Sequence, residues 1–148
     1  MMNEQQWTEQ GRRAREEIRS LSFMIGTWVG HGHYYGKKVT GHLDVKAILD
    51  GSWIEANETI LEESDGSPLT DRTFYRFDSE SDALQVMQLF EHAHMSTHTV
   101  EMTTDGFRWI TGPGSPQLHF RKTKDGITYT IQSVEEDAPR VQMSYMRT

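Results

Sequence analysis

The chain has 148 residues, the length of one ordinary domain and enough to bury a core. Its hydrophobic share of 35% includes 10% aromatic residues, with Trp7, Trp28, Trp53 and Trp109 spread along it, which sets it apart from disordered chains. A formal charge of −7 argues against nucleic acid as a partner, and the absence of cysteine excludes disulfides, thiolate catalysis and cysteine-bound zinc.

The one basic cluster, Arg12, Arg13, Arg15 and Arg19, is interleaved with Glu9, Glu16 and Glu17, so it is balanced rather than phosphate-seeking. The segment from Met1 to Met24 has no apolar signal core. No apolar run approaches the roughly 20 residues of a membrane-crossing helix. The expectation is a cytoplasmic protein without a membrane partner.

In chain order, the first expected element is a helix from about Thr8 to Arg19. Thr8 is of a capping type, and Glu9 puts a carboxylate in the first turn, where the helix dipole favours it. Gly11 weakens the helix by about 1 kcal/mol relative to alanine. Ile18, Leu21 and Met24 recur at helical spacing and give it a face to dock as a lid over a larger body.

After Gly26 the period changes to two, and turn signals recur, which is the rhythm of an all-β sandwich or barrel. Ten strands are expected: Thr27–Tyr35, Val39–Leu49, Ser52–Glu62, Thr70–Asp78, Ala83–Glu91, His94–Thr103, Gly106–Thr111, Gln117–Lys124, Ile127–Val134 and Arg140–Met146. Neither a repeat nor a linker interrupts them. One domain over residues 1–148 is expected, with a helical segment at 1–24 and a barrel at 25–148.

Three Asp-Gly pairs serve as two-residue hairpin loops, which fixes which side chains share a face. Around Asp50-Gly51, Leu43, Val45, Ala47 and Leu49 fall beside Ile54, Ala56, Glu58 and Ile60. His42, Asp44, Lys46, Trp53, Glu55 and Asn57 take the other face. Around Asp125-Gly126, Leu118, Phe120, Ile127, Tyr129 and Ile131 share a face. Around Asp105-Gly106, Phe107, Trp109 and Thr111 join His98, Val100 and Met102. Each hairpin has one apolar side and one wet side.

Short connections, the longest expected at Glu62–Leu69 and Gly112–Pro116, favour an antiparallel up-and-down barrel over a Greek-key sandwich. Closure also removes the exposed edges of a ten-strand meander.

Gly26-Thr27-Trp28, opening the first strand after a helical lead-in, resembles the Gly-x-Trp signature of calycins, the group of lipocalins, fatty-acid-binding proteins and nitrobindins. The run from Ile25 to Gly32 is most similar to nitrobindin-like and uncharacterised bacterial barrels, in which a second glycine follows the tryptophan. Asp50-Gly51-Ser52-Trp53-Ile54 and Phe74-Tyr75-Arg76-Phe77-Asp78 resemble the same members. The family tends to set an arginine of the last strand over the tryptophan, and Arg147 stands in that place. The resemblance implies a ligand-binding barrel and structural roles for Gly26, Trp28 and Arg147. A guanidinium stacked on an indole contributes roughly 0.5–2 kcal/mol and shuts that end against water. Haem-binding nitrobindins use a histidine near the C-terminal end. Here the last histidine is His119, so haem is not carried over and no cofactor is expected.

Seven histidines are a rich supply. His31 and His33 share a strand face, as do His92, His94 and His98 if their strand runs unbroken. The glutamate that follows His-x-His in cupin metal sites is missing after His33, so these read as surface or rim histidines rather than metal ligands. No nucleophile elbow, dinucleotide-binding glycine motif or phosphate loop is present, and no catalytic residue is assigned.

His98 and Glu58 fall on apolar faces, where two polar groups in an apolar barrel would be a minimal pocket. The expected partner is therefore a small apolar or amphipathic molecule, lined by Leu43, Val45, Ile54, Glu58, His98, Trp109, Phe120 and Tyr129. Two alternatives stay open. One is an enzyme using His98 or His92 and His94 as acid, base or metal ligand; the other is a filled barrel acting through its surface, as a homodimer.

Overall fold

A computed structural model describes residues 2–148 as a closed antiparallel barrel of ten strands with an N-terminal helix. The strands are β1 (Gly26–Tyr34), β2 (Lys37–Ile48), β3 (Trp53–Glu62), β4 (Pro68–Asp78), β5 (Ala83–Phe90), β6 (Met95–Met102), β7 (Gly106–Ile110), β8 (Gln117–Lys122), β9 (Gly126–Gln132) and β10 (Val141–Arg147). Every strand pairs with its sequence neighbours, and β1 pairs with β10 to close the ring. All ten expected strands are present with ends within two residues. The longest connection is 133–140, between β9 and β10, and not either of the two expected from sequence.

The helix α1 (Glu4–Ile18) starts four residues before the expected Thr8. Asn3 caps it, accepting from the Gln6 backbone N–H at 2.9 Å, while the Gln6 side chain accepts from the Asn3 N–H at 2.8 Å. Two orphan donors are satisfied reciprocally, so this box outcompetes a lone threonine. Thr8 lies inside the helix and donates its hydroxyl to the Glu4 carbonyl at 3.0 Å.

A short 3-10 helix, Arg19–Met24, follows and carries Leu21 and Met24 to full burial. This tighter segment, rather than α1, is the plug. α1 lies along the outside against β3 and β4, with Arg13 over the Phe77 ring at 4.9 Å and paired with Asp82.

The hairpins correct two of the three turns. Around Gly51, whose φ is +78°, the register is the expected one, with Ile48 opposite Trp53. Leu49 leaves the strand there with a φ of +50° and is 69% exposed, so it is not on the inner face. In the other two hairpins the loops are Thr104-Asp105 and Lys124-Asp125, and each glycine begins the next strand. The register moves by two residues, which preserves every face because the side-chain period is also two. Crowding explains it: a Cβ on Gly106 would meet the Phe120 carbonyl oxygen at 2.1 Å, and one on Gly126 that of Tyr145 at 1.9 Å.

At the plugged end Trp28 and Arg147 are cross-strand partners. The guanidinium carbon stands 4.2 Å from the indole centroid, and its nitrogens donate to the carbonyls of Ile25 at 2.8 Å and Phe23 at 3.2 Å. Trp28 Nε1 donates to the Met24 carbonyl at 2.8 Å. A Cβ on Gly26 would collide with Arg147 Nη1, so the glycine makes room for the guanidinium. These contacts tie the first strand, the last strand and the plug together.

Arg147→Ala therefore removes a stacking contact and two carbonyl caps. We expect a loss of about 1–2 kcal/mol in chemical denaturation, with Arg147→Lys recovering only part because ammonium lacks the planar face. Equal stability of Arg147→Ala and the parent would sink the assignment.

Candidate functional site

Above the plug the barrel is hollow. A cavity of about 540 Å³ runs from Met24 to a mouth at Tyr35, Phe90, His92 and Pro116. That volume lies within the roughly 300–1,000 Å³ of small-molecule sites. Its existence argues against the filled-barrel alternative.

The inner wall formed by β1 and β2 is unusually flat, because the inward positions include Gly30 and Gly41. A Cβ on Gly30 would lie 2.8 Å from the Tyr145 ring, and one on Gly41 would lie 2.3 Å from the Tyr145 hydroxyl. The missing side chains let Tyr145 lie across this wall and reach β3, where its hydroxyl donates to Glu58 Oε2 at 2.5 Å. From β9, Tyr129 donates to the same carboxylate at 2.9 Å from either oxygen. The hydroxyls of Tyr34 and Tyr129 are 3.0 Å apart. With the Tyr129 proton given to Glu58, Tyr34 is the donor in that contact.

A second acid stands beside the first. Asp71 on β4 is the cross-strand partner of Glu58, and the two are only 9% and 7% exposed. Residues opposed in this way have Cβ atoms about 4.5–5.5 Å apart. Burial, then the neighbouring Asp71 charge, pushes Glu58 well above the usual carboxylate range, against the pull of Tyr145 and Tyr129. Burial raises Asp71 as well, with Gln88 and Thr73 opposing. Two like charges this close in a dry interior do not both ionise readily, so the pair retains a proton above the normal carboxylate range. The phenols of Tyr34, Tyr129 and Tyr145 are all raised, by burial first and then by the Glu58 charge, and stay neutral donors.

An aromatic wall completes the site. Trp109 donates Nε1 to the Tyr75 hydroxyl at 3.3 Å, and its ring stacks on His98 with centroids 5.7 Å apart. Burial lowers the His98 pKa and favours neutral imidazole. Phe120 lies between Phe107 and Tyr129, at centroid distances of 4.9 and 5.0 Å.

The structure places Leu43, Val45, Glu58, His98, Trp109, Phe120 and Tyr129 around this cavity. Ile54 is not among them. It faces inward but lies at the plugged end, 1% exposed, in a recess with Arg15, Ile18 and Ala47. Strand parity gives the face of a residue and not its depth along the barrel axis.

Sequence reasoning missed Tyr34, Asp71, Thr73, Tyr75, Gln88 and Tyr145. For Asp71, Thr73 and Tyr75 a signal was present, since they alternate with Arg72, Phe74 and Arg76 as an inner set. The Asp65-Gly66 pair between β3 and β4 lies in a longer connection, residues 63–67, and not in a two-residue loop, so it does not by itself fix the register that sets Asp71 opposite Glu58.

His31 and His33 are exposed on β1. His92, His94 and His98 do not share an unbroken strand, because the chain turns at Ala93, with φ of +66°, between β5 and β6. His92 and His94 stack on each other at 5.9 Å beside Phe90 at the mouth, away from His98. Among the described residues, no three His, Asp or Glu side chains converge on a point that a metal ion could occupy.

A scan against protein-family models finds no match, and neither does a search of curated proteins. The architecture, a closed ten-stranded antiparallel barrel with an N-terminal helix, fits a calycin-like fold. Within α1 and the 3-10 helix, no segment is long and apolar enough to cross a membrane.

The acid pair has a measurable consequence for stability. Its folded pKa range is raised, so its stabilising contribution is complete below the unfolded carboxylate range, near 4.3 for glutamate, and is lost as pH rises through the folded range. Glu58→Gln should flatten the fall in stability between about pH 5 and pH 9 relative to the parent. Thermal denaturation across that window checks it, and parallel curves for the two proteins would refute it.

Proposed function

We propose that this protein binds a small, mostly apolar molecule non-covalently inside the barrel, with the polar end of the ligand at the Glu58–Asp71 pair. The observation that carries the reading is the open interior of about 540 Å³. Filling that space with a few larger side chains would add dispersion and apolar burial to a core of this kind, and the chain instead places small side chains such as Ala56 and Thr73 in its wall. Few polar groups in an apolar hollow orient one ligand group and reject misplaced ones.

The Trp28–Arg147 stack supports a placing among calycin-like barrels, and the glycine that follows the tryptophan supports a nitrobindin-like placing within them. We do not extend the haem chemistry of that group to this chain, whose last histidine is His119. His98, which lines the cavity, is stacked in an offset manner on Trp109, with ring centroids 5.7 Å apart.

The neutral fluorophore N-phenyl-1-naphthylamine offers a direct test. We expect saturable, one-to-one fluorescence enhancement with the parent protein. Ala56→Phe, which puts a ring into the hollow, should weaken it about tenfold or more with the circular dichroism spectrum retained. Absence of saturable binding to the parent, or full binding by Ala56→Phe, would overturn the reading.

A further inference from the structure

Resting on that reading, we infer that the ligand carries one cationic nitrogen, a protonated amine on an apolar body, which the Glu58–Asp71 pair receives. The inference comes from counting donors, acceptors and charges inside the barrel.

The donors around the pair are already committed. Tyr129 and Tyr145 give their protons to Glu58, Thr73 and Gln88 hydrogen-bond Asp71, Tyr34 gives its proton to Tyr129, and Trp109 gives its N–H to Tyr75. Beyond the one proton the pair shares, what it leaves unspent toward the cavity is acceptor capacity on two carboxyl groups. The complement of such a surface is a donor, and a charged N–H makes the stronger bond to a carboxylate.

The charge count points the same way. Among the described residues no lysine or arginine lines the cavity. The arginines and lysines of the barrel spend their charge outside it, on partners such as Glu55, Glu62, Asp78 and Glu101. Two buried carboxyls sharing a proton leave one uncompensated negative charge in a low-dielectric space. A monocation matches that charge, whereas a carboxylate or phosphate head would meet repulsion with no lysine or arginine in the lining to answer it. The cavity lining also includes the aromatic rings of Trp109, Tyr75, Phe120 and Tyr129, whose faces favour a cation.

Three probes of one shape separate the possibilities: 4-phenylbutylamine, 4-phenyl-1-butanol and 4-phenylbutyrate, titrated calorimetrically into the full chain at about pH 8.5, where the amine is still charged. The expected result is about tenfold or tighter binding of the amine over the alcohol, with the carboxylate weakest. Glu58→Gln combined with Asp71→Asn should bring amine and alcohol within about threefold of each other.

A measurement on the parent protein covers the case in which that variant does not fold. Amine affinity should fall about tenfold from pH 8.5 to pH 5 as the pair fills with protons, while alcohol affinity holds. The titratable groups facing the pair are Tyr34 on β1, Tyr75 on β4, His98 on β6, Tyr129 on β9 and Tyr145 on β10, with His92 at the mouth. The phenols do not titrate in that window, and His98→Gln should keep the pH response if the acids produce it. Equal or tighter binding of the alcohol or the carboxylate would overturn the inference and leave the carrier reading standing. So would a failure of the amine to bind where the naphthylamine fluorophore binds. Failure of all three probes together with the fluorophore would remove the carrier reading itself.

Discussion

Closure of the ring between β1 and β10 is the constraint on which the rest of the molecule depends. The two strands can lie this close because β1 carries Gly30 and Gly32 at its inward positions. A Cβ at either would come within 2.2 Å and 1.9 Å of the Ser144 and Gln142 carbonyl oxygens. With the seam closed, no edge strand is left unpaired and an inside exists. The glycines that permit the seam also leave the inner wall bare, and Tyr145 occupies that bare wall. The path from backbone packing to the candidate site is therefore short.

The two ends of the barrel are built for different purposes. At the plugged end, Trp28, Ile54, Phe107 and Ile127 pack with Leu21 and Met24 into a dry core, and Arg147 caps it. Toward the mouth, packing gives way to the hollow and to two buried acids. Burying carboxyl groups without a basic partner costs stability unless hydrogen bonds compensate. Three phenols in a chain supply part of that compensation for Glu58, and a retained proton supplies more. Such an arrangement costs stability, and any molecule that met these acids with matching donors would add stability back.

Much of the fold was legible because period-two alternation survives small errors. Two hairpins pair two residues out of the expected register, and still the faces are kept, although Met102, expected on the inner face, is 40% exposed at the end of its strand. The reason is that Gly106 and Gly126 are needed where backbones crowd, so the turns move one step back. The helix start was misread for a related reason: Asn3 and Gln6 form a reciprocal cap that a single threonine does not match. Of the candidate site, the face of each lining residue could be read, and the depth of Ile54 could not. The acid pair was half visible, since Glu58 stood out on an apolar hairpin face while its partner Asp71 did not.

The sequence alone determined the strands, their faces and the helical lead-in, because these follow from local alternation and from short-range turn and capping chemistry, while the Trp28–Arg147 lock was expected only through the resemblance to calycins. Only the tertiary structure decided that the interior is hollow, that the 3-10 segment rather than the helix is the plug, and that Asp71, Tyr129 and Tyr145 meet at Glu58. Those outcomes depend on contacts between β1, β3, β4, β9 and β10, strands far apart in the chain. Their relative depth is set by ring closure, and no window of neighbouring residues encodes it.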